Sequence, residues 1–256
     1  MLGGRPLSLI LSEGVQPSNY AAVWRMARRY PNFRENLGRY FLARGSYPYT
    51  CHVRTPRGVI SVPLESHHDM LTVNEIFCRE DYEVGPDVRT VVDIGSNIGV
   101  SALYFLTRND AARVWLFEPN PRNLERLRHN LAGYEQRYSL EEKAVADFAG
   151  ATEFGVEESG RYGGIGQETG EKISVECVHI NDALAKVLDE TGAVDVLKLD
   201  TEGYELGSVK AIDRQHLERI RVIYFEVEHD PGPIHPDLFD HRFRNQTVRL
   251  RNRRLA

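Results

Sequence analysis

Val91-Val-Asp-Ile-Gly-Ser-Asn-Ile-Gly99 is an apolar run that breaks into a glycine-bearing turn, and a helix is expected to start near Ile98. A strand, a tight turn and a helix in that order make the first half of a βαβ unit. In an open α/β sheet, ligands sit in the crevice beyond the carboxyl ends of the strands. Gly95 would let the backbone pass close to such a ligand, with Ser96 and Asn97 beside it. Asp93 is placed to receive the ammonium of an amino-acid moiety, directly or through water. Strand-to-helix turns that bind nothing also carry glycines, so the reading needs support from elsewhere.

Support comes from Val114-Trp-Leu-Phe-Glu-Pro-Asn-Pro121, an apolar strand ending in Glu118, 25 residues after Asp93. An ionised carboxylate only accepts hydrogen bonds, which suits it to the vicinal hydroxyls of a ribose. Pro119 and Asn120 adjoin it and are counted as cofactor contacts, as are Ala144 and Val145 after the third strand. Asn120 followed by Pro121 also has the pattern of a helix N-cap and first turn. The glycine spacing separates two kinds of nucleotide. A dinucleotide rests its pyrophosphate on a Gly-x-Gly-x-x-Gly turn, which is nearly free of side chains. Here the spacing is Gly-x-x-x-Gly, Asn97 stands where the second glycine belongs, and an acid precedes the turn. The turn favours a cationic nucleoside without phosphates.

Around this centre the chain alternates apolar runs with helical patterns, the mark of a parallel sheet with crossover helices. Strands are expected at 89–94, 113–118, 138–143, 194–199 and 220–227, with extra strands at 152–156 and 172–178. The loop Gly160–Gly166 lies between those two, and its Tyr162 is a candidate to close over a substrate. The expected fold is therefore α/β, doubly wound and mostly parallel, occupying 86–256 behind an N-terminal extension of helices and a hairpin over 1–85.

In that extension Tyr20, Val23, Trp24, Ala27 and Tyr30, then Phe33, Leu37, Tyr40 and Phe41, recur at helical spacings interrupted at Pro31. Arg25, Arg28, Arg29, Arg34, Arg39 and Arg44 read as a solvated face. Thr55-Pro-Arg-Gly58 reads as the turn of a hairpin between 49–54 and 59–63. Thr72-Val-Asn-Glu75 has the pattern of a capping box, so Glu75 belongs either to a helix start or to the ligand site.

Composition narrows the function. With 37 acidic against 32 basic side chains the formal net charge is -5, which weighs against nucleic acid as a partner. Three cysteines without a Cys-x-x-Cys pair suggest reduced thiols and a cytoplasmic setting. No run reaches the ~20 apolar residues of a membrane span. The aromatic N-terminal helices make a homodimer plausible.

Taken together, Glu75-Ile-Phe77 with Tyr82, Asp93–Gly99, Phe117-Glu-Pro-Asn-Pro121, Leu197-Lys-Leu-Asp-Thr-Glu-Gly-Tyr-Glu205 and Tyr224-Phe-Glu226 resemble the FkbM-type methyltransferases, within the class I Rossmann-like group. These five ordered blocks span about 70 to 230. The resemblance implies S-adenosylmethionine as cofactor and methyl transfer to a hydroxyl oxygen of a small molecule, a sugar or secondary metabolite. Residues 1–45 and 242–256 match no motif of that family, and 243–254 has room for one abbreviated edge strand.

Methyl transfer is an in-line displacement, so holding the acceptor oxygen in line matters most, and a base that takes its proton assists. Candidates are Asp200 at the end of the fourth strand, Glu202 on the following turn, Glu226 on the fifth strand and His229 just beyond it. Lys198 shares a side with Asp200, which also allows a plain ion pair, and Glu205 reads as structural. Asp200 with Glu226 or Glu228 has the chemistry of a divalent-cation site, although the spacing requires no metal. Two alternatives remain at this stage: an enzyme of another class, either a nucleotide-linked oxidoreductase or an RNA methyltransferase, and a protein that binds the cofactor without turnover.

Overall fold

The computed structural model describes residues 17–156, 163–166 and 171–255, and it divides into two compact units, Met1–Glu83 and Val84–Ala256. In the first unit, helices α1 (Pro17–Arg29) and α2 (Phe33–Leu42) precede strands β1 (Tyr49–Thr55) and β2 (Gly58–Leu64), helix α3 (His67–Asn74) and a π-helical turn, Glu75–Arg79. The helices break at Pro31 because a proline nitrogen cannot donate to the helix ladder. The buried residues of α1 are Ala22 and Met26, followed by Tyr30 just past its end as expected, whereas Trp24 and Ala27 are exposed, so within the helix the buried face is rotated from the one expected. Arg39 is buried too, against expectation. Its guanidinium lies 3.7 Å from the Tyr49 ring centroid, with Glu35 and the Ser46 carbonyl taking its hydrogen bonds.

The capping box also lies elsewhere. Ser66 caps α3 by accepting from the Asp69 amide (3.2 Å), and Asp69 returns the bond to the Ser66 amide (3.3 Å). Thr72 is inside the helix, its hydroxyl donating to the His68 carbonyl. Ser-x-x-Asp and Thr-x-x-Glu share one pattern six residues apart, and the earlier forms the box. β1 and β2 pair antiparallel from Tyr49–Leu64 to Thr55–Gly58.

The second unit carries two sheets among its described residues. Strands β3 (Thr90–Ile94), β4 (Arg113–Phe117), β5 (Tyr138–Glu141), β10 (Val194–Leu199), β11 (Ile220–Glu226), β12 (Phe239–Arg244) and β13 (Thr247–Asn252) form the larger, in the order β12-β13-β11-β10-β3-β4-β5. The five strands from β11 to β5 in that order are parallel, and β13 and β12 close the other edge as an antiparallel hairpin. Two closing strands thus fit where one abbreviated strand was expected: Asn245 and Gln246 both adopt positive φ and complete a two-residue turn. Helices α4 (Val100–Leu106), α5 (Pro121–Asn130), α6 (Ile180–Thr191), α7 (Glu205–Ala211) and α8 (Arg214–Leu217) connect the strands.

One sheet face presents Val92, Ile94, Leu197, Leu199, Ile223, Phe225, Val248 and Leu250 to Leu184, Val187 and Leu188 of α6, forming the main core. Residues directly paired across neighbouring strands share a face, and on the opposite face Asp93, Lys198, Tyr224 and Arg249 stand side by side. The smaller sheet comprises β6 (Ala144–Ala146), β7 (Gly150–Val156), β8 (Gly163–Ile165) and β9 (Glu171–His179), in the order β6-β9-β7-β8. The chain runs outward from β3 through β4 to β5 and returns to β10 on the other side of β3. The β3/β10 boundary is therefore the topological switch point, where a crevice opens beyond the strand ends.

Candidate functional site

At that boundary β3 ends in the turn 95–99. The Gly95 and Ser96 amides both donate to the Phe117 carbonyl, at 3.0 and 3.1 Å, and the Asp200 amide donates to the Ile94 carbonyl at 3.0 Å. Gly95 is required here for two reasons. Its φ is +73°, and a Cβ at this position would lie 1.8 Å from the Asp200 carbonyl oxygen. Asn97, also left-handed at φ +48°, turns its amide toward β4, while Gly99 at φ +82° opens α4.

Glu118 receives that amide. Its Oε2 accepts from the Asn97 N–H (2.8 Å), and its Oε1 accepts from the Asn120 N–H (2.9 Å) and from Asn123 Nδ2 (3.3 Å). The side chain is buried, and burial pushes its carboxyl up to about 6 against the pull of these donors. Two carboxylate oxygens offer about four acceptor positions, so three donors leave one on Oε2 for a ligand hydroxyl.

A cleft of about 560 Å³, counting the solvent at its opening, lies beside these groups. Gly95, Asn97, Glu118 and Pro119 line it from β3 and β4, and Ala144 and Val145 from the start of β6. Asp200 and Glu202 line it from the turn after β10. That turn is held from below: Glu205 accepts from the Thr201 N–H (2.6 Å) and the Gly203 N–H (2.9 Å), and Glu202 sits at φ +59°. Glu202 thus lies on a left-handed turn, as expected.

Other predicted residues lie apart from the cleft lining. Asp93 is fully buried beneath the turn, where Lys198 Nζ meets its Oδ1 at 2.9 Å and the Ser101 hydroxyl donates to Oδ2 at 2.5 Å. An anion with those partners is the inner support of the turn rather than a receptor for a ligand ammonium. Burial draws the Lys198 ammonium down, but the carboxylates of Asp93 and Asp200 outweigh it and hold the lysine above its usual value, so it stays charged. Ser96 donates to the Asp93 carbonyl (2.7 Å) and Asn120 caps α5 through the Arg122 amide (3.1 Å), both buried. Glu226 is half-buried at the end of β11, on the Lys198 face, and His229 is exposed on the loop beyond. Glu75 stands in the N-terminal unit, 3.7 Å from Arg79. Tyr162 lies outside the described residues.

The sequence reading passed over Asn123, Lys143, Phe154, Ile165 and Thr201, which also line the cleft. Asn123 carried a signal, being one helical turn beyond Asn120 on a helix aimed at the site. Phe154 and Ile165 come from β7 and β8 of the smaller sheet and had none. Among the described residues no group of three or more His, Cys, Asp or Glu is arranged to hold a metal ion, and no helix is long and apolar enough to cross a membrane.

The family model of the methyltransferase FkbM domain matches residues 93–252. Methyltransferase sdnD of Sordaria araneosa is 26% identical over 198 residues, covering 64% of this chain and 76% of that protein. The AMB antimetabolite synthetase AmbE of Pseudomonas aeruginosa is 27% identical over 196 residues, covering 62% of this chain and 9% of that much longer protein. Among solved structures, methyltransferase FkbM from Methylobacillus flagellatus superposes with a TM-score of 0.45 at 16% identity, over 72% of this chain and 54% of that one.

Proposed function

The chain belongs to the FkbM methyltransferase family and is a methyltransferase, and from that premise we propose that it transfers a methyl group from S-adenosylmethionine to a hydroxyl oxygen of a small molecule. The observation that carries the cofactor reading is Glu118. It is a buried carboxylate at the carboxyl end of β4, fixed by three donors and retaining one acceptor position beside the cleft. A ribose hydroxyl fits that position. Phe117, Val145, Phe154 and Ile165 supply apolar walls for an adenine, and the lining by Gly95 and Asp200 suits the methionine portion. S-adenosylmethionine, when bound, supplies an electrophilic methyl carbon on a positively charged sulfur.

The chain's own part is to hold and orient. The turn 95–99 is fixed by main-chain hydrogen bonds and the turn 200–205 by the Asp200 amide on the Ile94 carbonyl and by the Glu205 carboxylate, so the groups they present to the cleft are preorganised. Asp200 and Glu202 place two carboxylates there, suited to orienting an acceptor hydroxyl and taking its proton. Their negative charge also favours a cationic cofactor. The antimetabolite synthetase among the relatives supports a secondary metabolite as acceptor. The free, buried thiols of Cys51, Cys78 and Cys177 suit a reducing compartment such as the cytoplasm.

The test is calorimetric titration of S-adenosylmethionine and S-adenosylhomocysteine into the wild type and Glu118→Ala, with NADH as control. A panel of hydroxylated sugars and metabolites is then assayed for methylation. Saturable binding of both methyl-cycle ligands, weakened in the variant and absent for NADH, is expected. Binding of NADH alone would refute the cofactor reading, and methylation confined to nitrogen or carbon acceptors would refute the hydroxyl.

A further inference from the structure

Lys198 is 2% exposed and stands in the middle of the sheet, yet two of its contacts reach the two turns that form the cleft and a third holds Asp93 of β3 beneath them. Its ammonium donates to the Gly95 carbonyl at 2.8 Å, meets Asp93 Oδ1 at 2.9 Å and reaches Asp200 Oδ2 at 3.5 Å. Gly95 belongs to the turn after β3 and Asp200 to the turn after β10, and both line the cleft.

The contacts are unequal. The shortest two are to groups on the β3 side, and Asp93 is completely enclosed. Asp200 is the more distant partner, and about a third of its side chain is accessible. One ammonium facing Asp93 and Asp200, with Glu226 also acting on it from the same sheet face, cannot neutralise all three, and it pairs most strongly with the closest and least hydrated anion, Asp93. Asp200 then keeps its negative charge at the cleft mouth while its position stays fixed.

We propose that Lys198 is a positioning residue for the cleft: its buried ammonium ties the Gly95 carbonyl to the Asp200 carboxylate across the switch point, and Asp93 is the counter-ion that leaves Asp200 its charge. The raised affinity of Lys198 for its proton accords with this and keeps the tie present throughout the neutral range. The binding part of the proposal rests on the cofactor reading above; the positioning part does not.

The alternative is an ion pair that stabilises the fold and nothing more. Asp93→Asn combined with Lys198→Met separates the two, because replacing both members of a buried pair with neutral groups of similar size leaves stability nearly unchanged. The variant is expected to unfold near the wild-type midpoint. Hydrogen exchange of the Gly95 and Asp200 amides should nevertheless accelerate, and S-adenosylhomocysteine should bind about tenfold more weakly. Wild-type exchange at both amides, or wild-type affinity in a variant whose amides have loosened, overturns the proposal. If the wild type itself binds no S-adenosylhomocysteine, the cofactor reading has failed, and the exchange rates alone decide on positioning. Should the double variant not fold, Asp93→Asn alone takes its place. There the ammonium loses its nearest anion and moves onto Asp200, and unchanged exchange at Asp200 with unchanged affinity is again the overturning result.

Discussion

Lowering the pH from 7.5 to 5 isolates the role of Glu118. In the free protein its carboxyl sits at about 6, raised from the ordinary 4.5 by burial. The folded state therefore holds this proton more firmly than the unfolded chain does. The sign follows: the raised value costs stability as pH climbs through 4.5 to 6, and the ionised group carries a penalty of about 2 kcal/mol at neutral pH. A hydroxyl donated to the remaining acceptor position on Oε2 favours the anion, so ligand binding offsets part of that penalty and releases a proton near pH 6. At pH 7.5 about one molecule in thirty is protonated at this site, and at pH 5 about ten in eleven. If only the anion takes the hydroxyl, affinity for S-adenosylhomocysteine falls about tenfold, close to 1.4 kcal/mol. Calorimetry across this range in buffers of differing ionisation enthalpy reads both the affinity and the released proton. Glu118→Gln should start weaker and show no such step. Equal affinity at pH 7.5 and 5, or parallel decline in the wild type and Glu118→Gln, would refute the assignment of the hydroxyl to Glu118.

Three further outcomes are expected. Gly95→Ala forces a Cβ to within 1.8 Å of the Asp200 oxygen in a left-handed conformation, so urea unfolding should show a loss of about 2 to 5 kcal/mol; a loss under about 0.5 kcal/mol would mean that the turn relaxes freely. Glu205→Ala removes the acceptor of the Thr201 and Gly203 amides and should cost about 1 to 3 kcal/mol, with faster hydrogen exchange confined to 201–205. His229→Ala should leave methyl transfer within about twofold of wild type, since the imidazole is exposed on the loop beyond β11 and outside the cleft lining; a hundredfold loss would restore it as the general base.

The parallel core was legible because its strands are buried on both faces and read as continuous apolar runs. The hairpin at Thr55–Gly58 and the cap at Asn120 were legible for a related reason: both depend on neighbouring residues alone. Where the local signals competed, they did not decide. Two capping patterns lay six residues apart, and the apolar stripe of α1 could be drawn through Trp24 or through Met26. Which one is used depends on what packs against the helix, and no pattern within the helix contains that information.

The chain by itself determined the strand-turn-helix at 91–106, the carboxylate at 118 and the acidic turn at 200–202, since these follow from strand periodicity, glycine placement and residue type along one stretch. Tertiary structure alone decided what those groups face. Asp93 and Lys198 are 105 residues apart and meet only because β3 and β10 are hydrogen-bonded neighbours at the switch point. That pairing turns an expected ligand contact into the counter-ion of a buried lysine and leaves Asp200, two residues beyond Lys198 in the turn after β10, at the cleft. Phe154 and Ile165 likewise reach the cleft only through the folding of a second sheet. Burial converts a carboxylate from a probe of solvent into a partner for the nearest cation, and burial is a property of the folded chain rather than of any segment of it.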